Sequence, residues 1–236
     1  MGQDLAGIVL FTLAAAAAST AWILVPGLLL AWLLTSHRLR GRAVLETLVT
    51  LPLVLPPTAV GLVLLLLLGR GGPLGGWLHE TFGLDVAFTR GAVVIAGGIM
   101  ALPLLVRTAR GALEDVDPAL LAVSRSLGRS SWATFVEVQL PLAWRGVLGG
   151  LVLAFSRALG EFGATIVVAG NIPGRTQTLA LALFQRVQTG RDDEALVLAG
   201  LAALLAFAAL LLSQWLSARG DRSVGRRGTG VVGYPR

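Results

Sequence analysis

The chain has 236 residues, of which 55% are hydrophobic and only 14% are charged. A soluble domain could not bury that much apolar surface, so the composition indicates a polytopic membrane protein with an all-α fold. There are no cysteines, which excludes disulfides, thiolate metal sites and cysteine nucleophiles. All nineteen basic residues are arginine, so the chain lacks the lysine of a P-loop and of Schiff-base chemistry, and any ATP that drives it is hydrolysed by another subunit.

The remaining polar residues exclude further classes of function. The net charge of +6 comes from arginines placed where a membrane protein needs them, and no aromatic and basic platform for single strands is present. Nucleic acid is therefore not an expected partner. His37 and His79 lie in different loops, so we expect neither a metal site nor a cofactor bound by this chain. Glu161 is the one acidic residue well inside a predicted span, which leaves an intramembrane enzyme without paired catalytic groups.

Five apolar runs are long enough to cross about 30 Å of hydrocarbon at about 20 residues each. We place these spans near residues 8–34, 46–68, 91–108, 146–169 and 195–216. Thirteen arginines lie in the segments after the first, third and fifth spans, five lie in the alternate segments, and Arg157 lies within a span. The positive-inside rule therefore predicts that the N-terminus is outside and the C-terminus is cytoplasmic.

Three segments lie outside this pattern of spans. Residues 1–20 resemble a signal peptide in their small residues, but Asp4, the lack of a basic residue and the apolar run to Leu34 argue against cleavage. Residues 176–190 are too short to span, so we expect an outer-surface or re-entrant amphipathic helix. The permease domain is expected to cover residues 1–218, and the Gly- and Arg-rich residues 219–236 are expected to form a disordered cytoplasmic tail.

Four prolines interrupt the predicted spans: Pro52, Pro56 and Pro57 in the second and Pro103 in the third. Each removes a backbone donor and is expected to kink its helix. Bent helices would enclose a cavity between two subunits, although kinks also arise from packing alone. Both interpretations stay open at this point.

The polar loop at 113–141 is predicted to form two short helices across a glycine corner. Asp117 is a good N-cap, Pro118 suits the first helical position, and Gly128 is a natural stop. Ser130 and Ser131 can cap a second helix, which Pro141 is expected to end. In the first helix Leu120, Val123 and Leu127 recur at helical spacing and form a short apolar face. From the residues alone, the loop is either an interfacial connector or a docking site.

The spacing of this loop resembles a known motif. In the EAA loop of type I ABC-transporter permeases, E-A-A is followed after three residues by G and after nine more by I-x-L-P. Here Gly128, Val138, Leu140 and Pro141 match, whereas the first three positions are Ala122, Val123 and Ser124, so the glutamate of the motif is missing. The resemblance implies a coupling helix that docks in a groove of a separate ABC ATPase subunit, which uses the ATP.

A second stretch resembles a narrower family. Residues 157–165, RALGEFGAT, include Arg157, Glu161, Gly163 and Thr165, and are followed by GNIPGRTQTL at 170–179. Together with LPLVLPP at 51–57 they are similar to bacterial molybdate permease subunits. Sulfate permeases share the GEFGA element, so sulfate or tungstate is the alternative substrate. The resemblance implies an inner-membrane homodimer surrounded by lipid, served by a periplasmic molybdate-binding protein. An ATP-independent secondary transporter would have no use for the docking loop.

Small and charged residues share the predicted fourth span. Gly150, Ala154 and Ala158 recur every four residues, which lets another helix approach closely. Arg157 and Glu161 are four apart and therefore lie on one helix face at membrane depth. Two roles stay open for this pair: an internal ion pair that braces the helix, or a lining of the anion path.

Overall fold

The computed structural model describes residues 2–36 and 39–224, and this part of the chain is helical with short connections. The elements are α1 (Gly2–Thr35), α2 (Arg42–Val54), α3 (Pro57–Leu68), α4 (Pro73–Phe82), α5 (Arg90–Glu114), α6 (Pro118–Ser126), α7 (Ser131–Thr134), a π-helical segment (Phe135–Gln139), α8 (Leu140–Leu159), α9 (Gly163–Val168), α10 (Leu179–Gln188) and α11 (Asp192–Val224). The predicted all-α class is confirmed.

Within the described residues, five helical stretches are long and apolar enough to cross a membrane. They cover Leu5–Thr35, Pro57–Phe82, Arg90–Glu114, Ser131–Leu159 and Asp192–Leu211. The number agrees with the sequence-based expectation, but the bounds of the second and fourth stretches differ from the predicted 46–68 and 146–169. Both differences have a local cause in the backbone.

The second predicted span is two helices rather than one kinked helix. α2 ends at Val54, and Leu55 and Pro56 are extended, with ψ of 145° and 130°. Each of these two residues precedes a proline, whose ring disfavours the helical conformation of its predecessor. Helix resumes at Pro57, which suits a first helical position.

The fourth predicted span ends ten residues early, because helix α8 stops at Leu159 and not at residue 169. Gly160 terminates α8, Phe162 adopts φ −129°, and α9 starts again at Gly163. At its other end α8 begins at Leu140, which is six residues before the predicted start. The apolar run is thus divided between a spanning helix and a separate short one.

Pro141 does not end the second loop helix as predicted, since it lies in the first turn of α8. The preceding segment Phe135–Gln139 is π-helical, and the Leu140 amide donates to the Phe135 carbonyl. In a regular α-helix the proline ring would meet the Glu137 carbonyl four residues back. The wider π turn relieves that clash, so α7 and α8 stay continuous.

The bundle is built around α5, which packs between α1 and α8. The small residues of α8 make this possible, because a Cβ on Gly150 would lie 3.2 Å from the Thr108 Cβ. Ala154 is fully buried, and Ala158 lies against Gly97 of α5. The predicted close approach on this face of α8 is confirmed.

The two ends of the bundle carry different elements. α1 and α5 end, and α2 begins, at the end that carries α6, which we call the loop end. At the opposite end, α10 packs against α11 and the first turns of α1. A short helix was expected within residues 176–190, and α10 covers 179–188. α11 continues to Val224, past the expected start of the tail at residue 219, and residues 225–236 lie outside the described part.

Candidate functional site

The corner between α6 and α7 has the capping residues that the sequence predicts. The Asp117 carboxylate accepts a hydrogen bond from the Ala119 amide at 2.8 Å, and the Ser130 hydroxyl accepts one from the Ala133 amide at 3.1 Å. Gly128 lies between them with φ +85°, a conformation that side chains other than glycine rarely adopt. The caps and the glycine together define the turn.

Buried polar contacts hold this corner to the bundle. The hydroxyls of Ser124 and Thr134 are buried and lie 3.0 Å apart, which joins α6 to α7. Gln139, also buried, donates from Nε2 to the Leu113 carbonyl at 3.0 Å and so ties the π segment to the end of α5. Ser124, proposed from the sequence as a coupling residue, therefore faces the joint within the loop and not its outer surface.

An aromatic cluster anchors the same corner to α1. The ring centroids of Trp32 and Phe135 are 5.1 Å apart, those of Trp32 and Trp132 are 5.6 Å apart, and those of Trp132 and Phe135 are 5.5 Å apart. Our sequence reasoning missed this cluster, because Trp32 is about a hundred residues away and looks like any aromatic near the end of a span. The first span thus supports the loop directly.

The outer side of α6 is apolar and uncovered. Leu120 is 48% exposed, Val123 56% and Leu127 78%, and we call these three residues the α6 patch. Ala122, which occupies the glutamate position of the motif, is exposed beside them. The other motif residues are divided, since Val138 and Leu140 are half-buried and Pro141 is exposed.

The break between α8 and α9 contains the predicted ion pair. Arg157 Nη1 lies 2.7 Å from Glu161 Oε2, with Glu161 2% exposed and Arg157 26% exposed. The other oxygen of Glu161 accepts a hydrogen bond from the Ala164 amide at 2.8 Å. The sequence placed both charges on one continuous helix, whereas Glu161 lies beyond the end of α8 and caps the first turn of α9.

Close contacts fix α9 against α3. A Cβ on Gly163 would lie 2.6 Å from the Pro57 Cβ, and one on Gly61 would lie 2.6 Å from the Ala164 carbonyl oxygen. Thr165, named with these residues from the sequence, is almost fully buried in the same region. The two helix breaks, at 55–56 and at 160–162, therefore meet side by side.

A polar cavity of about 470 Å³ opens between α1, α2 and α5 near the loop end. Its charged lining residues are Glu46, Arg107, Arg110 and Glu114. Arg110 bridges the two carboxylates, at 2.9 Å from Glu46 and 2.8 Å from Glu114. Sequence reasoning used these arginines only to orient the chain, because nothing in the spacing of α2 predicts that Glu46 meets α5.

A different charged cluster lies at the opposite end of the bundle. Arg70 donates to both carboxylate oxygens of Asp85, at 2.7 and 2.6 Å, and His79 lies 3.1 Å from the same group. The hydrogen bond from Arg70 holds the pKa of Asp85 below its ordinary value. This cluster closes the connection between α4 and α5.

These features are those of a polytopic membrane protein, and comparison with known proteins gives its family. The family model described as "Binding-protein-dependent transport system inner membrane component" matches residues 6–224. The chain belongs to this family. It is therefore a multi-pass inner-membrane transport subunit rather than an enzyme, and its membership supports the predicted partnership with a binding protein and an ABC ATPase.

Individual relatives are more specific. The chain is 41% identical over 216 residues to the molybdenum transport system permease protein of Haemophilus influenzae, which covers 91% of this chain and 94% of the relative. It is 38% identical over 162 residues to the sulfate transport system permease protein of Escherichia coli, and the match covers 69% of this chain and 58% of that protein. A chain of the methionine ABC transporter MetNI, in an inward-facing conformation, superposes with a TM-score of 0.67 at 18% identity. The superposition covers 92% of this chain and 97% of that one. This last likeness shows the permease fold.

Proposed function

We propose that this chain is the permease subunit of an ATP-driven molybdate importer and that two copies form the conduit. The observation that carries the proposal is the 41% identity to a molybdenum permease over 91% of the chain. The alternative substrate, sulfate, is supported by the weaker and shorter likeness to a sulfate permease. Tungstate has nearly the size and charge of molybdate, so we expect the same conduit to carry it.

The α6 patch is our candidate for the surface that docks on the ATPase. Exposed leucine and valine side chains on a short helix would fill an apolar groove, as in other helix-in-groove contacts. The buried hydrogen bond between Ser124 and Thr134 and the aromatic cluster at Trp32 would transmit movement of α6 to α7 and α1. ATP is bound and hydrolysed by the partner, and no cofactor is assigned to this chain.

The loop end is proposed to face the cytoplasm, which puts the N-terminus outside. The support is the arginine distribution, because Arg107, Arg110, Arg125 and Arg129 all lie in or beside the polar loop. On this orientation the opposite end, with Arg70 and α10, would meet the binding protein. ATP-driven closure of the ATPase pair would then switch the conduit between inward- and outward-facing states.

For Arg157 and Glu161 we propose the bracing role rather than a lining of the anion path. Both oxygens of Glu161 already have partners within the chain, in Arg157 and the Ala164 amide. A dianion that approached Arg157 would also be repelled by the carboxylate 2.7 Å away. Gly163 and Thr165 support the same role, since they pack α9 against its neighbours.

The homodimer and the lipid contact are proposed from the uncovered apolar surface. Five residues around the break between α2 and α3 are exposed in the single chain: Leu51, Leu53, Val54, Leu55 and Pro56. A second copy would cover this surface along the conduit, and acyl chains would cover the outer faces of α1 and α11.

Reconstituted transport tests the function. Proteoliposomes would contain this chain with its ATPase, and the binding protein would be added outside with labelled molybdate or labelled sulfate. We expect ATP-dependent uptake of molybdate and little uptake of sulfate. Preferential sulfate uptake would transfer the proposal to the sulfate class, and uptake without ATP would contradict it altogether.

A further inference from the structure

The polar cavity at the loop end is lined by one face of α5. Arg107, Arg110, Gly111 and Glu114 are separated by three, four and seven residues from the first, so they lie on the same side of the helix. Glu46 and Thr50 of α2 close the cavity from across. A polar face on the most central helix of an apolar bundle is expensive unless it faces water or a polar ligand.

The charged residues that line this cavity are not all paired with one another. Arg110 lies within 2.9 Å of both Glu46 and Glu114, and Arg42 lies 3.7 Å from Glu114. Arg107 is exposed, and among the residues that the structure describes it has no carboxylate partner. Both glutamates that line the cavity are therefore engaged by other arginines, and Arg107 is the lining cation without a carboxylate partner among the described residues.

We infer that this cavity is a binding site for a tetrahedral oxyanion at the loop end of the conduit, with Arg107 as its main cationic ligand. The inference rests on the proposed function for the identity of the anion, molybdate. A guanidinium binds two oxygens of such an anion at once through its planar fork. The volume of about 470 Å³ leaves room for an oxyanion together with some of its water.

The same geometry makes the site weak, as a release site should be. Glu46 and Glu114 repel an anion that approaches Arg107, which offsets part of the attraction of the guanidinium. Tight binding would slow departure, since conduction requires a site that the ion can leave. The site therefore suits an anion about to leave the protein at the loop end.

Gly111 offers a way to block the cavity without damaging the bundle. A Cβ at this position would meet no atom within 4 Å. Side chains on a helix point back toward its N-terminus, so a leucine introduced here would lie over Arg107, four residues earlier. An alanine at the same position fills little space and favours the helix, which makes it the matched control.

The test is equilibrium binding of labelled molybdate to the permease–ATPase complex in phosphatidylcholine nanodiscs, without binding protein. Arg107→Gln removes the charge and Gly111→Leu fills the space, and we expect each to weaken binding about tenfold or more. Gly111→Ala and Arg175→Gln, the latter an exposed arginine at the opposite end, should bind as the unmodified chain does. Wild-type binding in the two blocking variants would overturn the inference, as would no binding at all to the unmodified complex.

Two further arms separate the sources of failure. Repeating the assay with phosphatidylglycerol in the disc tests whether a lipid phosphate occupies the cavity; loss of molybdate binding there would overturn the release site in favour of a lipid site. Uptake by the complete transporter is measured in parallel. If molybdate is imported but binding is insensitive to both blocking variants, the inference alone fails. If sulfate is imported instead and labelled sulfate binds through Arg107, the proposed substrate fails and the site remains.

Discussion

Two helix breaks in this molecule are both marked by glycine, yet they are built in opposite ways. At the α6–α7 corner, Gly128 has φ +85° and a Cβ there would meet nothing within 4 Å. At the α8–α9 break, Gly163 is needed for space, because its Cβ would lie 2.6 Å from Pro57. The first glycine provides a backbone conformation and the second provides close packing.

The polar groups at the two breaks differ in the same way. Beside Gly128, Arg129 pairs with Glu137 at 3.2 Å, and both side chains are about half exposed. Beside Gly163, the carboxylate of Glu161 is buried, and its two oxygens contact Arg157 and the Ala164 amide. An exposed break needs residues that suit the turn itself, such as a glycine and helix caps. A break inside the bundle also needs a partner for every buried charge. Substitutions at the two breaks should therefore fail differently.

The largest expected effect is at Glu161. Glu161→Ala leaves Arg157 without its partner and α9 without its cap, so we expect about 3 kcal/mol of lost stability. Thermal unfolding and monodisperse yield in detergent measure this. Glu137→Ala, which breaks the exposed pair, should change stability by less than about 1 kcal/mol. Normal assembly of the Glu161 variant with altered anion selectivity would refute the bracing role.

Packing at the inner break gives the next effect. Gly163→Ala forces a methyl group against Pro57, and the overpacking should cost about 1–3 kcal/mol. Gly160→Ala is the matched control, since a Cβ there meets nothing within 4 Å. The same unfolding assay compares them, and equal midpoints for the two variants would show that α9 shifts freely relative to α3.

At the outer break we expect loss of coupling rather than of fold. Gly128→Arg places a side chain in a left-handed conformation, at about 1–2 kcal/mol, and changes the angle of α6. Stimulation of the ATPase by loaded binding protein should fall while the thermal midpoint of the spans stays near that of the unmodified chain. Gly128→Asn should retain stimulation, because asparagine tolerates this conformation. Unfolded spans in the arginine variant would contradict a local role for the corner.

The smallest effect is at the joint of the loop. Ser124→Ala leaves the Thr134 hydroxyl buried without its partner, which should cost about 1 kcal/mol. Hydrogen exchange of the α6 amides reports the loosened joint. Adding Thr134→Val should restore part of the loss, and strictly additive losses would mean that the two hydroxyls do not interact.

The local features of both breaks could be predicted from the sequence, and their neighbours could not. Asp117, Gly128 and Ser130 act on residues two or three positions away, so turn and cap rules identify them. The pairing of Arg157 with Glu161 was predicted from helical spacing, although Glu161 lies just beyond the end of α8. Trp32 under Phe135, Pro57 against Gly163 and Glu46 beside Arg110 each join residues far apart in the chain, and one sequence contains no signal for such contacts.

The helix break at 160–162 was missed for a related reason. The run from Gly146 to Ala169 is mostly apolar and has Arg157 and Glu161 as its only charged residues, so hydropathy alone predicts a single span. α8 ends at Gly160, and the Glu161 carboxylate then caps the first turn of α9, neither of which hydropathy indicates. The proline break at 55–56 was only partly anticipated, as a kink.

The π segment at 135–139 shifts the helical phase of α7 relative to α8. An α-helix turns about 100° per residue, and a π turn takes up one additional residue. A helical wheel drawn without interruption through Ser131–Leu159 therefore gives the wrong angle between the residues of α7 and those of α8. The error is about 100°. Of the residues that the motif groups together, Val138 lies within the π segment and Leu140 begins α8 after it. Scanning mutagenesis of the region needs two separate wheels, one for each side of the π segment.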